Sequence, residues 1–564
     1  MKIVFIGHRG VGKTSLLKRH RNYYPDTHHF DLDTEIESAE QRQVSEIFKF
    51  HGEKKFREIE FNIFKKLIQQ KNFVISTGAG FNCANIPNDV EIIYVSRRTD
   101  SDGRIFLNRP ALNPELSSFD EYALRFKARE PAFRRAADFV YHLSEGLVQK
   151  NENEKKIFEK FIILQNTFVT LIPHHFQYLK KFSNIELRTD FFSDNEIQQI
   201  MLENDNKFLV SYRKKTSEIN FKSGSIDWAL ELGAVPVELK NAELIVSNHD
   251  DELKMAIQKF ESYPDNHQKL CPVISTWNEL MIGHEWQSAK PDQRSFLPRT
   301  VATQEKSLWR WYRQLQFLKQ KINFIQGHQN FDDQPSLFEY LNIKNNNTFA
   351  AVLGYPIHHS KTPITQGQNI DLNVLPIPVA AIDFKIAIPI LQKMGLIAAA
   401  VTSPLKTVAG HLCHQQTSLN TIVFKNNQWF GTSTDQYGLI KLISEVPNIE
   451  NKKIAIWGGG GVLDSISKII PHAVFYSAQT GKPRVQQIPA SQPEILIWAA
   501  PRKLNIHMPP ANWNPEYVVD LNYTENSLGL EYAQKIITKY ISGDKMFYAQ
   551  AEKQLLFWKE KLKD

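Results

Sequence analysis

The chain has 564 residues, of which 42% are hydrophobic and 23% are charged, and its formal net charge is +7 at pH 7. This composition predicts a globular protein of about three to four domains, and so modest a charge gives no reason to expect nucleic-acid binding. Three widely spaced cysteines argue against disulfides and a zinc site. Because the sequence shows no signal peptide and no apolar run of about 18 residues, we expect a cytoplasmic chain without a membrane span.

A phosphate-binding loop lies at the start of the chain. Residues 7–14 fit the pattern G-x-x-x-x-G-K-[ST] at every fixed position, between an apolar run at 2–6 and a helical pattern that begins at 15. Such a loop turns successive backbone N–H groups towards one phosphate, while its lysine reaches the β and γ phosphates and its hydroxyl binds Mg²⁺. The predicted ATP-binding residues of this loop are Gly10, Gly12, Lys13, Thr14 and Ser15.

Two aspartates follow the first helical pattern. Asp31 and Asp33 alternate along a short predicted strand, so we expect both side chains on one side of it. One carboxylate could bind Mg²⁺, directly or through water, and the other could accept a proton from an attacking hydroxyl.

Four further motifs occur in order: F-R-E-I-E at 56–60, S-T-G-A-G at 76–80, N-R-P-A-L at 108–112 and R-E-P at 129–131. With the phosphate loop and D-x-D, they resemble shikimate kinase across roughly residues 1 to 145. The resemblance implies that Thr14 and Asp31 serve Mg²⁺, that Lys13 and Asp33 act in catalysis and that Arg109 closes over ATP with a lid. Planar arginine forks suit a small carboxylate substrate. The implied shikimate-binding residues are Asp33, Arg57, Gly78, Gly80 and Arg129.

A second predicted domain follows a charged run at 150–155, which indicates a linker or an exposed helix start near 150 to 160. Between 162 and 325 short apolar strands, one of them at 235–239, alternate with helical patterns such as 226–232 and 252–260. This alternation predicts βα units and a parallel sheet of the barrel type. Four polar residues fall at predicted strand ends, where barrels collect their chemistry: Glu186, Arg188, Arg213 and His249.

Together with Lys269, these residues resemble the motifs of type I 3-dehydroquinate dehydratase. The resemblance implies that Lys269 forms a Schiff base with a substrate ketone and that His249, oriented by Glu186, moves protons. Arg213 would pair with the substrate carboxylate, and Glu186 and Arg188 would also contact substrate. The glutamate that follows the substrate arginine in the family is not evident at 214–217. Because about 165 residues is short for a full barrel, we expect a shortened (β/α) barrel-like domain, and an inactive dehydratase stays open.

A turn-rich segment at 327–335 separates the third predicted domain. Motifs at 354–363, 401–406, 419–421, 431–435 and 548–550 resemble shikimate dehydrogenase along roughly residues 345 to 564, with a substrate lobe at 345–440 and a cofactor lobe at 441–535. The resemblance implies a catalytic pair, Lys406 and Asp435, because an ammonium held by a carboxylate can protonate the alkoxide that hydride delivery leaves. The implied substrate-binding residues are Ser360, Thr362, Thr402, Asn420, Tyr523 and Gln550.

A strand that runs into a glycine turn at 453–461 is what a nicotinamide cofactor fold needs, and it predicts Gly458, Gly460 and Gly461 as cofactor-binding residues. The arginine with which the family binds the 2′-phosphate of NADP is missing from 477–482, although Lys482 or Arg484 could substitute. We therefore expect NADP and leave NAD open.

The predicted fold class is α/β: a P-loop kinase domain (1–158), the barrel-like domain (162–325) and a two-lobed dehydrogenase with a Rossmann-type lobe (345–564). Their order resembles the C-terminal part of the pentafunctional AROM polypeptide. This implies a multifunctional enzyme of aromatic amino acid biosynthesis that converts 3-dehydroquinate through 3-dehydroshikimate and shikimate to shikimate 3-phosphate, using NADPH, ATP and Mg²⁺. The partners would be these small molecules, without nucleic acid or membrane, and a homodimer stays open.

The rival interpretation is a regulatory ligand-binding protein similar to the quinate-pathway repressors, which resemble the same three domains. Such a protein would be expected to have lost its catalytic side chains. The presence of all six residues to which catalysis is assigned favours the enzyme. They are Lys13, Asp33, His249, Lys269, Lys406 and Asp435.

Overall fold

The structure is a computed structural model, and it describes residues 1–97, 118–143, 152–173, 175–214, 224–239, 243–250, 252–301, 307–327, 332–357, 360–459, 463–484, 492–500, 506–523 and 527–563. The chain divides into two compact units, one of residues 1–101 and 126–345 and the other of residues 102–125 and 346–564. Within the described residues, no helix combines the length and apolar character that crossing a membrane requires.

The first unit begins with a five-stranded parallel sheet in the order β2-β3-β1-β4-β5. Its strands β1 to β5 are Lys2–Ile6, His28–Asp31, Phe73–Ser76, Glu91–Arg97 and Phe139–Leu143, and helices α1 to α4 are Lys13–Tyr23, Leu32–Glu40, Val44–Leu67 and Ser118–Ala136, of which α4 belongs to this unit from residue 126 onward. The central strand β1 is apolar at nearly every position because helices cover both faces of such a sheet. The phosphate loop at 7–14 leaves the C-terminal end of β1 and leads into α1, as the sequence predicts.

The D-x-D prediction was wrong in its local structure. Strand β2 ends at Asp31, and Leu32, which is fully buried, begins α2. Asp33 therefore stands in the first turn of a helix, where a carboxylate interacts favourably with the unpaired backbone N–H groups.

The segment near 150 to 160, predicted to be a linker or an exposed helix start, does begin a helix, which is exposed at Lys155 and Lys156 but buried on its other side. Residues Glu152–Ile157 form helix α5, and Glu154 on this helix is 1% exposed. Its carboxylate accepts hydrogen bonds from Arg19 at 2.9 Å, from Tyr23 at 2.8 Å and from Tyr141 at 2.6 Å. A charged run at this place therefore contains one deeply buried anion, which its arginine and tyrosine partners stabilise.

The rest of the first unit is a ring of eight parallel strands in the order β12-β11-β10-β9-β8-β7-β6-β13. Strands β6 to β13 are Thr167–Thr170, Asn184–Arg188, Lys207–Tyr212, Ser225–Ala229, Glu243–Asn248, His267–Leu270, Arg294–Phe296 and Asn323–Ile325; helices α6 to α11 are Tyr178–Lys181, Asp194–Glu203, Leu253–Phe260, Trp277–Ser288, Arg310–Leu315 and Leu337–Leu341. Among the described residues β12 and β13 are not paired, so the ring stays open there.

The expected shortening lies in the connections and not in the number of strands. Between β9 and β10 the described residues form only the 3₁₀ turns Leu230–Leu232 and Val237–Leu239, where a barrel usually has a helix. The helical pattern predicted at 226–232 and the strand predicted at 235–239 were therefore wrong, whereas the pattern at 252–260 is confirmed as α8. Every residue of β9 is buried, and a short buried run gives no periodicity that separates a strand from a helix.

The second unit contains two five-stranded sheets, in the orders β15-β14-β16-β17-β18 and β20-β19-β21-β22-β23. In the first sheet β17 and β18 run antiparallel, and the second sheet is wholly parallel. Strands β14 to β23 are Phe349–Gly354, Asn373–Pro378, Leu396–Val401, Thr421–Lys425, Gln428–Thr432, Ile454–Gly458, Val474–Tyr476, Ile495–Ala499, Tyr517–Asp520 and Lys539–Ile541; helices α12 to α18 are Thr362–Gly367, Phe384–Lys393, Lys406–Leu412, Asp435–Ile443, Leu463–Ile469, Leu528–Lys535 and Asp544–Leu562. The last helix returns to the first sheet, where Trp558 is fully buried with Val352 and Val423.

Candidate functional site

The phosphate loop brings its predicted residues together at the start of α1. Gly10 and Gly12 have φ angles of 79° and 99°, which glycine adopts without strain. Lys13 is buried and donates through Nζ to the carbonyl oxygens of Gly7 at 2.8 Å and His8 at 2.9 Å. Its ammonium group is thus held inside the loop itself. Thr14 and Ser15 are exposed.

The two predicted Mg²⁺ residues are neighbours. The hydroxyl of Thr14 donates to Oδ2 of Asp31 at 2.6 Å. The described residues contain no group of three or more His, Cys, Asp or Glu side chains that could hold a metal ion. One carboxylate and one hydroxyl nevertheless fit Mg²⁺, which takes few protein ligands and keeps water or phosphate oxygens in its other positions.

The predicted shikimate-binding residues meet around the glycine turn at 78–80. A Cβ atom added to Gly78 would lie 2.9 Å from Oδ1 of Asp33, and one added to Gly80 would overlap the guanidinium of Arg57. Arg129 donates to the carbonyl oxygen of Ala79, within the same turn, at 3.0 Å. The side chains of Asp33, Arg57 and Arg129 therefore all lie against this turn. Arg109, predicted to close over ATP, lies outside the described residues.

Glu130 is a partly buried residue of this site to which the sequence assigned no role. Its carboxylate accepts from Nε2 of His8 at 2.8 Å, from Arg134 at 2.5 Å and from the hydroxyl of Tyr94. Although burial alone would raise it, these hydrogen bonds and the Arg134 charge lower the pKa of Glu130 to about 2. Because His8 belongs to the phosphate loop and Glu130 adjoins Arg129, this contact fixes α4 to the loop.

Lys269 lies inside the ring of strands with a partner that the sequence analysis missed. Lys269 is 1% exposed, and its ammonium group donates a hydrogen bond to Oδ2 of Asp227. The same oxygen accepts from Arg213 at 2.8 Å and from Ser211 at 3.2 Å. Burial alone would raise the pKa of Asp227, but the charges of Lys269 and Arg213 hold it well below its usual range. The sequence did not indicate Asp227 because residues 226–232 show a helical pattern, whereas the structure has a strand at Ser225–Ala229.

The carboxylate beside His249 is Glu231 and not Glu186. Glu186 accepts from Thr170 at 2.5 Å and from Ser211 at 2.6 Å, and it lies 3.7 Å from Arg213. Glu231 follows β9, and its Oε2 lies 3.6 Å from Nδ1 of His249. The expectation that Glu186 orients His249 is therefore corrected.

Arg188 stands apart from this group. It forms two hydrogen bonds with Asp190, at 3.0 and 2.7 Å, and its guanidinium lies 4.6 Å from the ring centre of Phe191. A bidentate pair of this kind already satisfies the side of the fork that a substrate carboxylate would use. The structure thus groups Glu186, Arg213, His249 and Lys269, and it leaves Arg188 paired with Asp190.

In the second unit four predicted residues meet at one carboxylate. Asp435 accepts from Lys406 at 2.6 Å, from Asn420 at 2.8 Å and from Gln550 at 2.6 Å. Lys406 and Asp435 are the first residues of α14 and α15, Asn420 precedes β17, and Gln550 lies on α18. Four distant segments of the sequence therefore converge on Asp435, which is 4% exposed.

Lys361 links the segment that contains Ser360 and Thr362 to the backbone of Tyr523. It stands between Ser360 and Thr362, and it donates to the carbonyl oxygen of Tyr523 at 3.1 Å and to Asp544 at 3.0 Å. The backbone N–H of Thr362 donates to the hydroxyl of Ser360 at 3.3 Å. The remaining predicted residue of this lobe, Thr402, lies against Gly354, where an added Cβ would overlap the threonine methyl group.

The glycine turn of the parallel sheet is described only in part. Gly458 ends β19 with a φ of 97°, and a Cβ added to it would lie 2.6 Å from the backbone of Ala500. This glycine is therefore required by a close approach of two backbones. Gly460 and Gly461 lie outside the described residues. Lys482 and Arg484 are exposed in the turn that follows β20.

The comparisons with known proteins agree with the first of these sites. A family model described as shikimate kinase matches residues 9–163. A shikimate kinase of Neisseria gonorrhoeae is 34% identical over 154 residues, which are 25% of this chain and 85% of that protein. Another, of Burkholderia lata, is 31% identical over 150 residues, 24% of this chain and 78% of that protein. Through this segment the chain belongs to the shikimate kinase family.

The chain is also similar to shikimate dehydrogenases. An NADP⁺-dependent one of Prochlorococcus marinus is 34% identical over 137 residues, 22% of this chain, and the chain spans about half (48%) of that relative's length. Among solved structures, shikimate dehydrogenase of Aquifex aeolicus is 18% identical, with a TM-score of 0.33 over 39% of this chain and 96% of that one. The Thermus thermophilus enzyme, solved with NADP(H) and shikimate, is 17% identical, with a TM-score of 0.32 over 38% of this chain and 95% of that one.

Proposed function

We propose that the chain is a multifunctional shikimate-pathway enzyme with kinase, dehydratase and dehydrogenase activities in segments 1–158, 162–325 and 345–564. The observation that carries this proposal is convergence: at each site, residues assigned to one reaction and far apart in the sequence lie in hydrogen-bond contact. Because all reactants are small soluble acids, we expect the protein to act in the cytoplasm without nucleic acid or membrane. Sedimentation would decide whether it is a homodimer.

For the kinase, we assign the binding of ATP phosphates to the loop at 7–14 and to Lys13. Thr14 and Asp31 would hold Mg²⁺, which neutralises phosphate charge when it is bound. Asp33 would accept the proton of the shikimate 3-hydroxyl, while Arg57 and Arg129 hold the substrate carboxylate on either side of the glycine turn. Membership of the shikimate kinase family over residues 9–163 supports this assignment.

For the dehydrogenase, we assign proton transfer to Lys406. NADPH, when bound, supplies the hydride that reduces the ketone of 3-dehydroshikimate. Asp435 keeps the lysine ammonium in place at 2.6 Å, so that a proton is available to the oxygen that gains negative charge. Asn420 and Gln550 hold the same carboxylate and present polar atoms where substrate hydroxyls would lie. The similarity to an NADP⁺-dependent relative supports NADP over NAD.

For the middle segment, we assign Schiff-base formation to Lys269 and proton transfer to His249. An amine attacks a ketone only after it has lost its extra proton, and here the ammonium group is held by the buried carboxylate of Asp227. This ion pair is also the observation that favours the alternative, in which the dehydratase segment is inactive and the other two reactions remain.

A coupled assay tests all three assignments. Purified protein is given 3-dehydroquinate, NADPH and Mg-ATP, each product is followed separately, and the assay is repeated with Lys269→Ala and with Lys254→Ala, an exposed lysine of α8, as the control. We expect shikimate 3-phosphate from the wild type and the control, and no conversion of 3-dehydroquinate by Lys269→Ala. If 3-dehydroquinate stays unconverted while 3-dehydroshikimate, supplied in a parallel reaction, is reduced and phosphorylated, the inactive alternative is established. Binding of these acids without any turnover would support a regulatory protein.

A further inference from the structure

Nδ1 of His249 lies close to one hydrogen-bond donor and one hydrogen-bond acceptor. Nη1 of Arg213 is 3.4 Å away, within hydrogen-bond range, and Oε2 of Glu231 is 3.6 Å away, just beyond it. A guanidinium can only donate and a carboxylate can only accept. Arg213 therefore needs a lone pair on Nδ1, whereas Glu231 needs a proton there.

An arginine donor at Nδ1 requires a lone pair on that nitrogen, so we treat the ring as a neutral imidazole, which has two tautomers. Burial and the neighbouring charge of Arg213 lower the pKa of His249 below its usual value, although Glu231 acts in the opposite direction. The charges of Asp227 and Lys269 also act on His249, in opposite directions, and these two residues are paired with each other. Because arginine can only donate, we assign the lone pair to Nδ1 and the proton to Nε2 in this arrangement.

The backbone around His249 is fixed, so an exchange of partners requires only side-chain movement. Oε1 of Glu231 accepts from the N–H groups of His249 and of Asp250, the latter at 3.1 Å. Arg299 donates to the carbonyl oxygen of His249. Arg213 is anchored through its other nitrogen, Nη2, to Asp227 at 2.8 Å. Its Nη1 contacts only neutral groups in this set, the Ser247 hydroxyl at 3.2 Å and His249, and is the part of the fork that an anion would attract.

We propose that Arg213 and Glu231 compete for Nδ1 of His249, and that a ligand carboxylate bound by Arg213 transfers this nitrogen to Glu231. On the transfer Nε2 releases one proton to solvent and Nδ1 takes up one proton from solvent, so the ring stays neutral. The lone pair then lies on Nε2, on the opposite edge of the ring from Glu231. Glu231 is a positioning residue in this scheme, and it gives His249 its basic nitrogen only when a carboxylate ligand is present.

This inference rests on the proposed function of the middle segment only for the assignment of Arg213 to a carboxylate. Its readout is the histidine ring itself, measured by ¹⁵N NMR on protein labelled at histidine, with His249→Gln used to assign the signals. The probe is quinate, which has the carboxylate but no ketone and so cannot form a Schiff base. We expect the wild type to show Nε2–H without quinate and Nδ1–H with it.

The informative variant is Glu231→Gln, which keeps the oxygen that accepts from the backbone but can place an amide donor at Nδ1. It should show Nε2–H with and without quinate, while Glu252→Gln, an exposed change three residues beyond His249, should respond as the wild type does. An Nδ1–H tautomer in the free wild type, no response to quinate, or a normal response of Glu231→Gln would each overturn the proposal.

Turnover separates this inference from the proposed function. If the wild type switches tautomer with quinate but does not dehydrate 3-dehydroquinate, the inference stands and the dehydratase assignment fails. If 3-dehydroquinate is dehydrated, Glu231→Gln should lower kcat by about tenfold or more, because it removes general base catalysis, and should change KM much less.

Discussion

Asp435 holds three other predicted site residues of the second unit in place. It accepts hydrogen bonds from Lys406, Asn420 and Gln550, so the ammonium group has a fixed position and a fixed charge partner. We expect Lys406→Ala to lower the rate of 3-dehydroshikimate reduction by about 100-fold or more, because the proton donor is removed.

Oxidation of NADPH measures this rate. Lys385→Ala, an exposed lysine on α13, is the matched control and should leave the rate unchanged. A rate for Lys406→Ala within about twofold of the wild type would mean that another group supplies the proton.

Gly80 tests the shikimate site without removing a charge. A Cβ at this position would overlap the guanidinium of Arg57, which is the flexible end of a long side chain and can move away. We therefore expect Gly80→Ala to raise KM for shikimate by about tenfold, the loss of about one charge-assisted hydrogen bond, and to leave KM for ATP unchanged. Gly367→Ala is the control, since its added Cβ meets nothing closer than 3.9 Å. Equal effects on both KM values would contradict the assignment of Arg57 to shikimate.

At the same scale, the sequence indicated side chains whose motifs are local and missed those that depend on strand register. Lys13, Thr14 and Asp31 belong to short motifs and were found. Asp227 and Glu231 became visible only when β9 was placed between β8 and β10, because register sets which side chains face one another across neighbouring strands. No sequence pattern within residues 225–232 predicts that Asp227 and Glu231 contact residues of the neighbouring strands.

At the scale of elements, the start of β5 carries a buried carboxyl group. Asp138 is 8% exposed and accepts a hydrogen bond from the backbone N–H of Ile92 at 2.7 Å. Burial, with the nearby charge of Glu91, raises the pKa of Asp138 to about 7. The folded chain therefore holds this proton more tightly than the unfolded chain. The resulting stabilisation is complete below the ordinary aspartate pKa and is lost as the pH rises through about 7.

Asp138→Asn keeps the oxygen acceptor and removes the ionisation. We expect its unfolding free energy to fall less than that of the wild type between about pH 5 and about pH 8, by up to about 3 kcal/mol. Urea unfolding at the two pH values measures the difference, and Asp265→Asn, an exposed change, should behave as the wild type does. An unchanged pH dependence in Asp138→Asn would show that Asp138 ionises normally.

Elements with strong local signals were predictable. Strand β1, the phosphate loop and α1 agree with their predictions because an apolar run, glycines and a helical pattern follow one another directly. The errors fell on short buried strands and on helix starts. Asp33 was assigned to a strand although an acidic residue two positions after β2 is equally typical of a first helical turn. Eight strands fit into about 165 residues because their connections are short.

At the scale of the whole molecule, the proposed reactions use different residues in different parts of the chain. We therefore expect Lys13→Ala to abolish phosphorylation of shikimate while reduction of 3-dehydroshikimate by NADPH continues at the wild-type rate. Separate assays of the two steps on the same preparation check this. A parallel loss of reduction, in a variant whose circular dichroism is unchanged, would show that the two activities are coupled.

Helix α5 limits how a gene of this kind could be recombined. A breakpoint among the codons for residues 150–153 looks harmless in the sequence, yet it would separate Glu154 from Arg19, Tyr23 and Tyr141, which all donate hydrogen bonds to its carboxylate. A breakpoint further downstream would keep that anion but lose Phe338, whose ring contacts Tyr141. Inheritance of the kinase segment as a free cassette would thus require compensating changes, so its packing favours descent together with the segment that follows it.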